Sequence, residues 1–553
     1  MSRPDAIEAH PATLVALVAF TLISLGLGVV ANLVASKRAG FLTKYFLGSR
    51  SLGAFAVALT AAVMSGGTFV GFPSFVYQYG WVVGLWIASY MVAPLTILGI
   101  LGKRIGQLAR RTGAITLPDL FRARYASPAL GLITSLLIMF FLSCFLVAQF
   151  KAGGVLMKIV LPASAGDWLG ADGLGAKLDA AYLLGLLIFT ATVVAYTAFG
   201  GFLAAVWTDV FQSIVMAVGV MILLPLALHA AGGMEQATTA GMKIAGDGFA
   251  FGPGAGRAFH PMGLAFSFFV MWAITGMGQP STMVRLMAFR DSRTLRYSII
   301  YQCFYNAIVY IPLIFIFVAA RSILPGLENP DEAMPRLVIR LSNPYWAGLV
   351  LAAPYGAVMS TVSGFLLIIA SGIVRDVYQR FIRPHATERE LAKASYVATI
   401  AVGVCVALVA TYPPKFLQLI IVFASSGMAA AFLVPGLMGA FWRRASAAGA
   451  LAAMIAGSGV TLALYAYGSY LGLQGFDQNI GPKPTGFGAY YLLGLEPGVW
   501  GLLVSLLAGV SVSLVTRPPE PKHVAWLFDA DAPDLLAAPT PHGQNRSADV
   551  TST

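Results

Sequence analysis

Leu59-Thr-Ala-Ala-Val-Met-Ser-Gly-Gly67 and Ala357-Val-Met-Ser-Thr-Val-Ser363 are the two stretches of this 553-residue chain that decide its fold. Each is small, hydroxyl-bearing and broken or flanked by glycine, and each lies inside a segment otherwise apolar enough to span a bilayer. A helix interrupted at membrane depth leaves backbone carbonyls unpaired, and a bound cation or substrate can take the place of the missing hydrogen bonds. The two stretches therefore predict an ion site inside a membrane protein.

The composition sets the class of protein. Hydrophobic residues make up 58% of the chain and charged residues 10%, and the mean hydropathy is +0.79. One soluble core cannot bury so much apolar surface, so the chain is predicted to be a polytopic membrane protein. The net charge of +12 does not indicate nucleic acid, because Lys and Arg collect in the short segments between apolar spans. No obligate protein partner is evident either.

Other chemistries are not indicated by the sequence. Three cysteines lie far apart within apolar runs and are interpreted as packing residues. Six histidines fall at span ends, in loops or in the tails, so no proton relay or metal cluster is expected. The chain has no phosphate-cradling Gly-Lys-Ser/Thr loop and no added catalytic domain. Neither an enzyme nor an ATP-driven pump is therefore predicted.

Windows of about 20 residues identify thirteen candidate spans. They begin near residues 12, 52, 82, 129, 181, 205, 262, 297, 346, 394, 416, 447 and 498. With an external N-terminus, the loops richest in Lys and Arg all fall on the cytoplasmic side, as does the tail from Arg517. The predicted protein is multi-pass in the plasma membrane, which is the inner membrane in a bacterium, with the N-terminus outside and the C-terminus in the cytoplasm.

The odd count of spans allows inverted repeats, because the second span runs outward while the seventh runs inward. The leading span of each repeat is visibly broken, at 66–73 and at 276–280. Glycine and proline are common in membrane helices, which explains any single break, but breaks at matching positions favour a midplane binding site. The predicted transporter domain is 1–517, with an extra N-terminal helix at 12–36, repeats at 52–231 and 262–440, C-terminal helices at 447–517, and a disordered cytoplasmic tail at 518–553.

The residues at these breaks suit a hard cation. Sodium prefers a compact cage of carbonyl, hydroxyl and carboxylate oxygens. Ser360 and Thr361 offer hydroxyls, and the carbonyls of Ala61, Met64 and Ala357 complete a cage if the second and ninth spans cross there. By spacing alone, the better interpretation of both hydroxyls is a hydrogen bond to their own helix or a neighbouring one.

Four motifs together resemble the sodium/solute symporter family, over roughly residues 12 to 515. Within the family, the chain is most similar to bacterial sodium/pantothenate symporters. The family motifs are Ala357-Val-Met-Ser-Thr361, Gly278-Gln-Pro280 before Arg285, Tyr196-Thr-Ala-Phe-Gly-Gly201 with Trp207-Thr-Asp209, and Tyr45-Phe-Leu-Gly-Ser-Arg50. The closer likeness rests on 101–104, 115–119, 122–125 and 229–233. The implied fold is an all-α membrane protein of about thirteen helices, with inverted five-helix repeats and discontinuous first helices (LeuT-like).

The resemblance implies a sodium-coupled secondary active symporter that imports a small organic solute by alternating access. The coupling ion is Na+, held by the carbonyls of Ala61, Met64 and Ala357 and the hydroxyls of Ser360 and Thr361. A monocarboxylate such as pantothenate is the expected solute. The alternatives are an amino-acid (proline-like) or sugar symporter, or a membrane receptor or channel-like protein that keeps the fold without coupled transport.

The candidate solute-binding residues are Ser65, Gly66, Gln149, Lys151, Trp272, Gly276 and Gln279. Trp272 matches a cavity aromatic of the similar proline carriers, but their tyrosine is Gly276 here and their carboxylate is Val63. An amino-acid substrate thus loses a partner for its ammonium group, which favours a carboxylate.

Two charged residues have two interpretations each. Lys151 lies within a span, where an unpaired cation is costly, so it either binds a solute carboxylate or extends to the headgroups. Asp209, near a predicted helix start, is either a cap or, as the resemblance implies, part of the sodium exit path.

Overall fold

Long apolar helices make up most of the chain in the computed structural model, which describes residues 9–34, 53–61, 65–162, 179–252, 262–412, 417–473 and 487–529. The helices before residue 253 are α1 Pro11–Val34, α2 Ala54–Ala61, α3 Phe72–Tyr79, α4 Gly84–Pro94, α5 Lys103–Thr112, α6 Leu117–Tyr125, α7 Pro128–Val160, α8 Ala180–Ala230 and α9 Met234–Ala245. Those after it are α10 Met262–Ile274, α11 Pro280–Ala288, α12 Ser292–Ile323, α13 Ala333–Leu341, α14 Pro344–Ser371, α15 Glu388–Ala410, α16 Leu417–Phe441, α17 Ala447–Tyr470, α18 Pro497–Val515 and α19 Pro521–Phe528.

The described residues contain 11 helical runs long and apolar enough to cross a membrane, or 12 if the bent pair α10 and α11 forms one span. The predicted count of thirteen is not confirmed. One reason is the single run Gly67–Thr112, which takes in parts of two predicted spans. Gly80 interrupts this run with a φ of 74°, a left-handed conformation that ends α3.

Several helices are broken or bent where the sequence carries glycine and proline. Gly201 has a φ of 66° and a ψ of −169°, which divides α8 into spans 180–198 and 200–230. A bend of 48° separates α10 from α11, and Pro280 opens the second piece. Between α2 and α3, a π-helical turn covers Gly67–Gly71. The breaks at Gly67–Gly71 and between α10 and α11 lie where the repeats were predicted to be discontinuous, whereas the bend at Gly201 was not predicted.

Two helices form the centre of the molecule. The most apolar window of α16 is entirely buried, and that of α14 is 83% buried, whereas those of α1 and α15 are only 28% buried. Helix α14 packs against α1, α7 and α8, and α16 packs against α7, α17 and α18. The outer helices are therefore the ones that expose apolar side chains to lipid, and the inner pair can carry polar groups.

The end of the chain corrects one prediction. Residues from 518 were expected to be disordered, but 521–528 form α19, which docks on the protein. Val524 and Leu527 are buried, and the guanidinium of Arg124 stacks on the ring of Phe528 at 5.1 Å. Helix spacing of these apolar residues explains the docking. The predicted disorder of 530–553 lies outside the described residues.

Candidate solute and ion site

A cavity of about 80 Å³ lies where the interrupted segment after α2 meets the break between α10 and α11. Helices α4, α12 and α16 complete its wall. Its lining is polar on one side and aromatic or aliphatic on the other: Ser65, Gly67, Thr68, Tyr90, Ala93, Ile97, Phe145, Trp272, Thr275, Gly276, Gln279, Thr282, Gln302, Asn306, Gln418, Ile421 and Ser425. Among the described residues, no charged side chain contributes to this lining.

Four amide side chains of the lining have a buried oxygen without a hydrogen-bond partner in the described part of the chain. These are Gln279, Gln302, Asn306 and Gln418. The orientation of Asn306 is fixed, because its amide nitrogen donates to the carbonyl of Tyr90 at 2.9 Å. Buried acceptors without donors are costly, and they are ordinarily matched by a ligand or water. The cavity is thus built to accept hydrogen bonds from a guest molecule.

A ladder of stacked rings forms the aromatic side of the cavity. Trp272 stacks on Trp86 and on Tyr90, with ring centroids 5.6 Å apart in both pairs. Tyr90 in turn stacks on Tyr310 at 4.2 Å. Such stacking fixes the indole plane, and the buried Nε1 of Trp272 has no acceptor among the described residues. Trp272 therefore offers a solute a rigid face and a hydrogen-bond donor.

Four of the seven predicted solute residues line the cavity: Ser65, Trp272, Gly276 and Gln279. Gly66 is adjacent, and its backbone N–H donates to Oε1 of Gln149 at 2.7 Å. Gln149 is fully buried and does not line the cavity, and its amide oxygen holds the interrupted backbone. A Cβ on Gly66 would lie only 2.9 Å from Ala152 and from Oε1 of Gln149, which explains the need for glycine. Solute binding by all of these residues stays a prediction.

Lys151 is separated from the other predicted solute residues. Its ammonium Nζ lies 2.7 Å from Oδ2 of Asp331, and both side chains are buried. Asp331 belongs to the short 3-10 turn Pro330–Glu332 between α12 and α13. The protein itself thus supplies a counterion, and the ammonium group is buried within the protein. Lys151 is also absent from the cavity lining, and its proposed contact with a solute carboxylate stays a prediction.

Three of the five predicted sodium ligands lie together on α14. Ala357 is fully buried, and the hydroxyl of Thr361 donates to its carbonyl oxygen at 3.1 Å. This is the back-bond within one helix that spacing alone favoured. The interrupted segment nevertheless approaches this place, since a Cβ on Gly66 would lie 3.2 Å from Cγ2 of Val358. Ala61 is the last residue of α2, and Met64 lies outside the described residues.

Asp209 is not a helix cap, because it lies inside α8 beyond the bend at Gly201. Its Oδ2 is 3.3 Å from a guanidinium nitrogen of Arg285 on α11, and both residues are buried. The hydroxyl of Ser360 interacts with the same carboxyl group. The other oxygen, Oδ1, has no hydrogen-bond partner among the described residues. A predicted sodium ligand and the predicted exit residue are therefore neighbours.

Sequence reasoning missed several residues of the site. Gln302, Asn306 and Gln418 were not singled out, although each is a polar side chain inside an apolar span. Polar groups are costly at membrane depth, so their presence alone was a usable signal. Asp331 was not recognisable in this way, because it lies in a loop 180 positions from Lys151.

The fold and cavity define a class of protein: a membrane carrier in which discontinuous helices meet at a central polar site. Comparison with known protein families identifies the kind of carrier. The family described as "SSF: Sodium:solute symporter family" matches residues 45–457. The chain belongs to this family, whose members are transporters and not enzymes.

Individual relatives agree with the family. A sodium/pantothenate symporter of Escherichia coli (strain K12) is 34% identical over 499 residues, covering 89% of this chain and 94% of the relative. A sodium/proline symporter of Haemophilus influenzae is 30% identical over 469 residues, covering 80% and 86%. The solved structure of a Na+-coupled sialic acid symporter in a substrate-bound outward-open state has a TM-score of 0.67 at 18% identity, covering 92% of this chain and 98% of that one. That likeness confirms the predicted all-α, LeuT-like fold.

Proposed function

We propose that the protein imports a hydroxyl- and amide-bearing monocarboxylate, such as pantothenate, together with Na+ by alternating access. The observation that carries the proposal is the set of unpartnered amide oxygens on Gln279, Gln302, Asn306 and Gln418 around the cavity. Hydroxyl and amide N–H groups of a solute are the donors these oxygens require. The sodium/pantothenate symporters among the relatives support the same solute class.

The uncharged lining argues against a zwitterion. An amino acid such as proline brings an ammonium group, whose positive charge a carboxylate in the lining would neutralise. The described lining has none, and Val63, at the position of that carboxylate in the similar proline carriers, lies outside the described residues. A solute carboxylate can instead accept hydrogen bonds from the indole N–H of Trp272 and from the hydroxyls of Thr275 and Thr282.

Sodium coupling rests on the contact between α14 and the interrupted segment. Val358 on α14 lies near Gly66, so Ala357, Ser360 and Thr361 would supply oxygens to this place, and the carbonyls of Ala61 and Met64 would close the cage. Asp209 lies next to Ser360 and offers the ion its free Oδ1 on the way out. Arg285 would have to release the carboxylate of Asp209 when sodium passes. We therefore propose that Asp209 contacts Arg285 and the sodium ion in turn.

The proposed orientation in the membrane is supported by where basic residues gather. Arg111, Arg122, Arg380 and Arg443 lie near one another around α6 and α19. Short loops rich in Lys and Arg face the cytoplasm in bacterial membrane proteins. We therefore place this face inside and the N-terminus outside, in the bacterial inner membrane.

Uptake into proteoliposomes tests the proposal. Radiolabelled pantothenate should accumulate under an inward Na+ gradient, and should not accumulate when choline replaces Na+. Unlabelled monocarboxylates should compete better than proline or sugars. If proline competes best, the solute class is wrong. Binding without accumulation would instead identify a receptor that keeps the fold.

A further inference from the structure

A second cavity, of about 510 Å³, lies on the basic face of the protein, away from the solute cavity. It is enclosed by the start of α6, the junction between α6 and α7, the π-helical segment Gly372–Ile382 and the docked helix α19. Arg122, Arg375, Arg380 and His523 are its basic residues, and Asp119 is the acidic one. Arg122 and Asp119 belong to sequence motifs that the transport function leaves unexplained.

The charges in this cavity do not cancel. Asp119 forms an ion pair with Arg380, and its Oδ2 lies 3.6 Å from Nε of Arg375. Three guanidinium groups thus face one carboxylate in the lining, and because Asp376 behind the lining also interacts with Arg122 and Arg375, the formal charge around the cavity is +1. A second carboxylate, Asp376, accepts hydrogen bonds from Thr116 at 3.3 Å and does not line the cavity.

Two of the guanidinium groups retain unused donors. The side chain of Arg122 makes no hydrogen bond or ion pair among the described residues, although the residue is half-buried. Nε of Arg375 is buried and donates no hydrogen bond there, although its NH1 donates to Gln379. Buried guanidinium donors without acceptors are costly, and they fit the oxygens of phosphate well.

The start of helix α7 adds to the positive electrostatic potential in the cavity. Ser127 and Pro128 line the cavity, and Pro128 is the first residue of the 33-residue helix α7. The positive end of a long helix favours an anion within its first turn. Nε2 of His523 donates to the carbonyl of Ala123 at 3.0 Å, which holds the imidazole ring in the wall of the cavity.

We propose that this cavity binds a phosphate monoester, with Arg122 and Arg375 as its principal ligands. A phosphate monoester carries a charge of about −1.5 to −2 near neutral pH, which is opposite in sign to the excess charge around the cavity. Its three oxygens can accept from both arginines at once. The group belongs either to a soluble organic phosphate or to the headgroup of phosphatidic acid, since both present the same chemistry.

The bound phosphate would connect α19 to α6 and to the segment after α14. Trp526 of α19 lines the cavity together with Arg375, and the carbonyl of Trp526 accepts a hydrogen bond from Arg111 at 3.1 Å. Occupation of the cavity should therefore stabilise the docked form of the C-terminal helix.

Calorimetric titration of the full chain in phosphatidylcholine nanodiscs tests the soluble source. Glycerol 3-phosphate, added at constant ionic strength, should bind saturably, and Arg122→Gln and Arg375→Gln should each raise the Kd at least tenfold. Lys522→Gln is the control, because Lys522 is an exposed cation on α19, the helix that contributes His523 and Trp526, and does not itself line the cavity. Because Trp526 lines the cavity, binding should also change the tryptophan fluorescence of the protein. Trp526→Phe should remove this fluorescence change and retain most of the heat of binding.

A second arm tests the lipid source. Nanodiscs that contain phosphatidic acid should raise the melting temperature of the wild type relative to pure phosphatidylcholine, and Arg122→Gln should lose this increase. If Arg122→Gln unfolds, Arg122→Lys replaces it and should bind more weakly than wild type. The proposal is overturned if neither phosphate source binds saturably, or if binding survives both arginine substitutions. Neither arm measures transport, so the outcome is independent of the proposed solute.

Discussion

Lys151 Nζ lies 2.7 Å from Asp331 Oδ2, and the two side chains are only 5% and 1% exposed. The same carboxylate oxygen accepts a hydrogen bond from the backbone N–H of Leu417 at 3.3 Å, at the start of α16. The pair therefore ties together α7, the turn before α13 and the central helix α16. A buried ion pair of this kind is costly to break from one side, because the remaining charge stays in a low dielectric.

Removal of one partner should destabilise the protein. We expect Lys151→Gln and Asp331→Asn each to lower the unfolding free energy by roughly 3–5 kcal/mol, and the double variant to lose less than the sum. Thermal unfolding in detergent measures this. Lys158→Gln is the control, since the pairs of Lys158 with Asp179 and Glu332 are more exposed and should contribute no more than about 1 kcal/mol. If Lys151→Gln is fully stable and only raises the half-saturating solute concentration, the ammonium group serves the solute instead.

The size of the solute cavity depends on Gly276. A Cβ at this position would lie 2.1 Å from Cδ1 of Ile97 across the cavity. Gly276→Ala should therefore push Ile97 aside and raise the half-saturating solute concentration roughly tenfold, as a misfit of about 1–3 kcal/mol implies. Ile97→Ala removes both clashing atoms, Cδ1 at 2.1 Å and Cγ1 at 2.8 Å, so the double variant should recover most of the affinity. Gly84→Ala is the control, because its Cβ would make an ordinary contact at 3.9 Å. Equal kinetics in Gly276→Ala and wild type would contradict this account of the cavity.

The sequence predicts the helices better than it predicts their partners. Apolar length and glycine-proline breaks are local properties, so the helix positions and the bend at Gln279 follow from them. The contact of Lys151 with Asp331 joins distant parts of the chain, which no local pattern encodes. Helix α19 was missed because the prolines and serines around it suggest disorder. The spacing of the two apolar residues Val524 and Leu527 is too short a pattern to predict a helix by itself. It becomes informative only once α6 is known to lie beside it.

Sodium activation of uptake tests the ligands on α14. Ser360→Ala and Thr361→Ala should each raise the Na+ concentration for half-maximal uptake, because a dehydrated cation needs every oxygen of its cage. Ser371→Ala is a matched control on the same helix, where the hydroxyl only donates to the carbonyl of Ile368. If both substitutions leave the sodium dependence unchanged, the hydroxyl of Thr361 serves only its bond to Ala357, and the site lies elsewhere.

Stability should depend on pH through Glu496, a carboxyl group at the start of α18 that is entirely buried. Its oxygens accept hydrogen bonds from Ser426 at 2.8 Å and from the N–H of Gly498 at 2.7 Å. Burial raises the pKa of Glu496 to about 7, and these hydrogen bonds only partly oppose the rise. The folded protein therefore holds this proton up to about pH 7, whereas the unfolded chain releases it near the ordinary pKa of 4.5.

Between these two pKa values the folded state binds more protons than the unfolded state, so the unfolding free energy should fall as the pH rises. The loss should approach about 3 kcal/mol by pH 8, from about 1.4 kcal/mol per pKa unit. Thermal unfolding in detergent from pH 5 to pH 8 measures the slope. Glu496→Gln should flatten it, while Glu520→Gln, which changes an exposed carboxyl group, should leave it intact. A slope that persists in Glu496→Gln would mean that another buried acid controls the pH dependence.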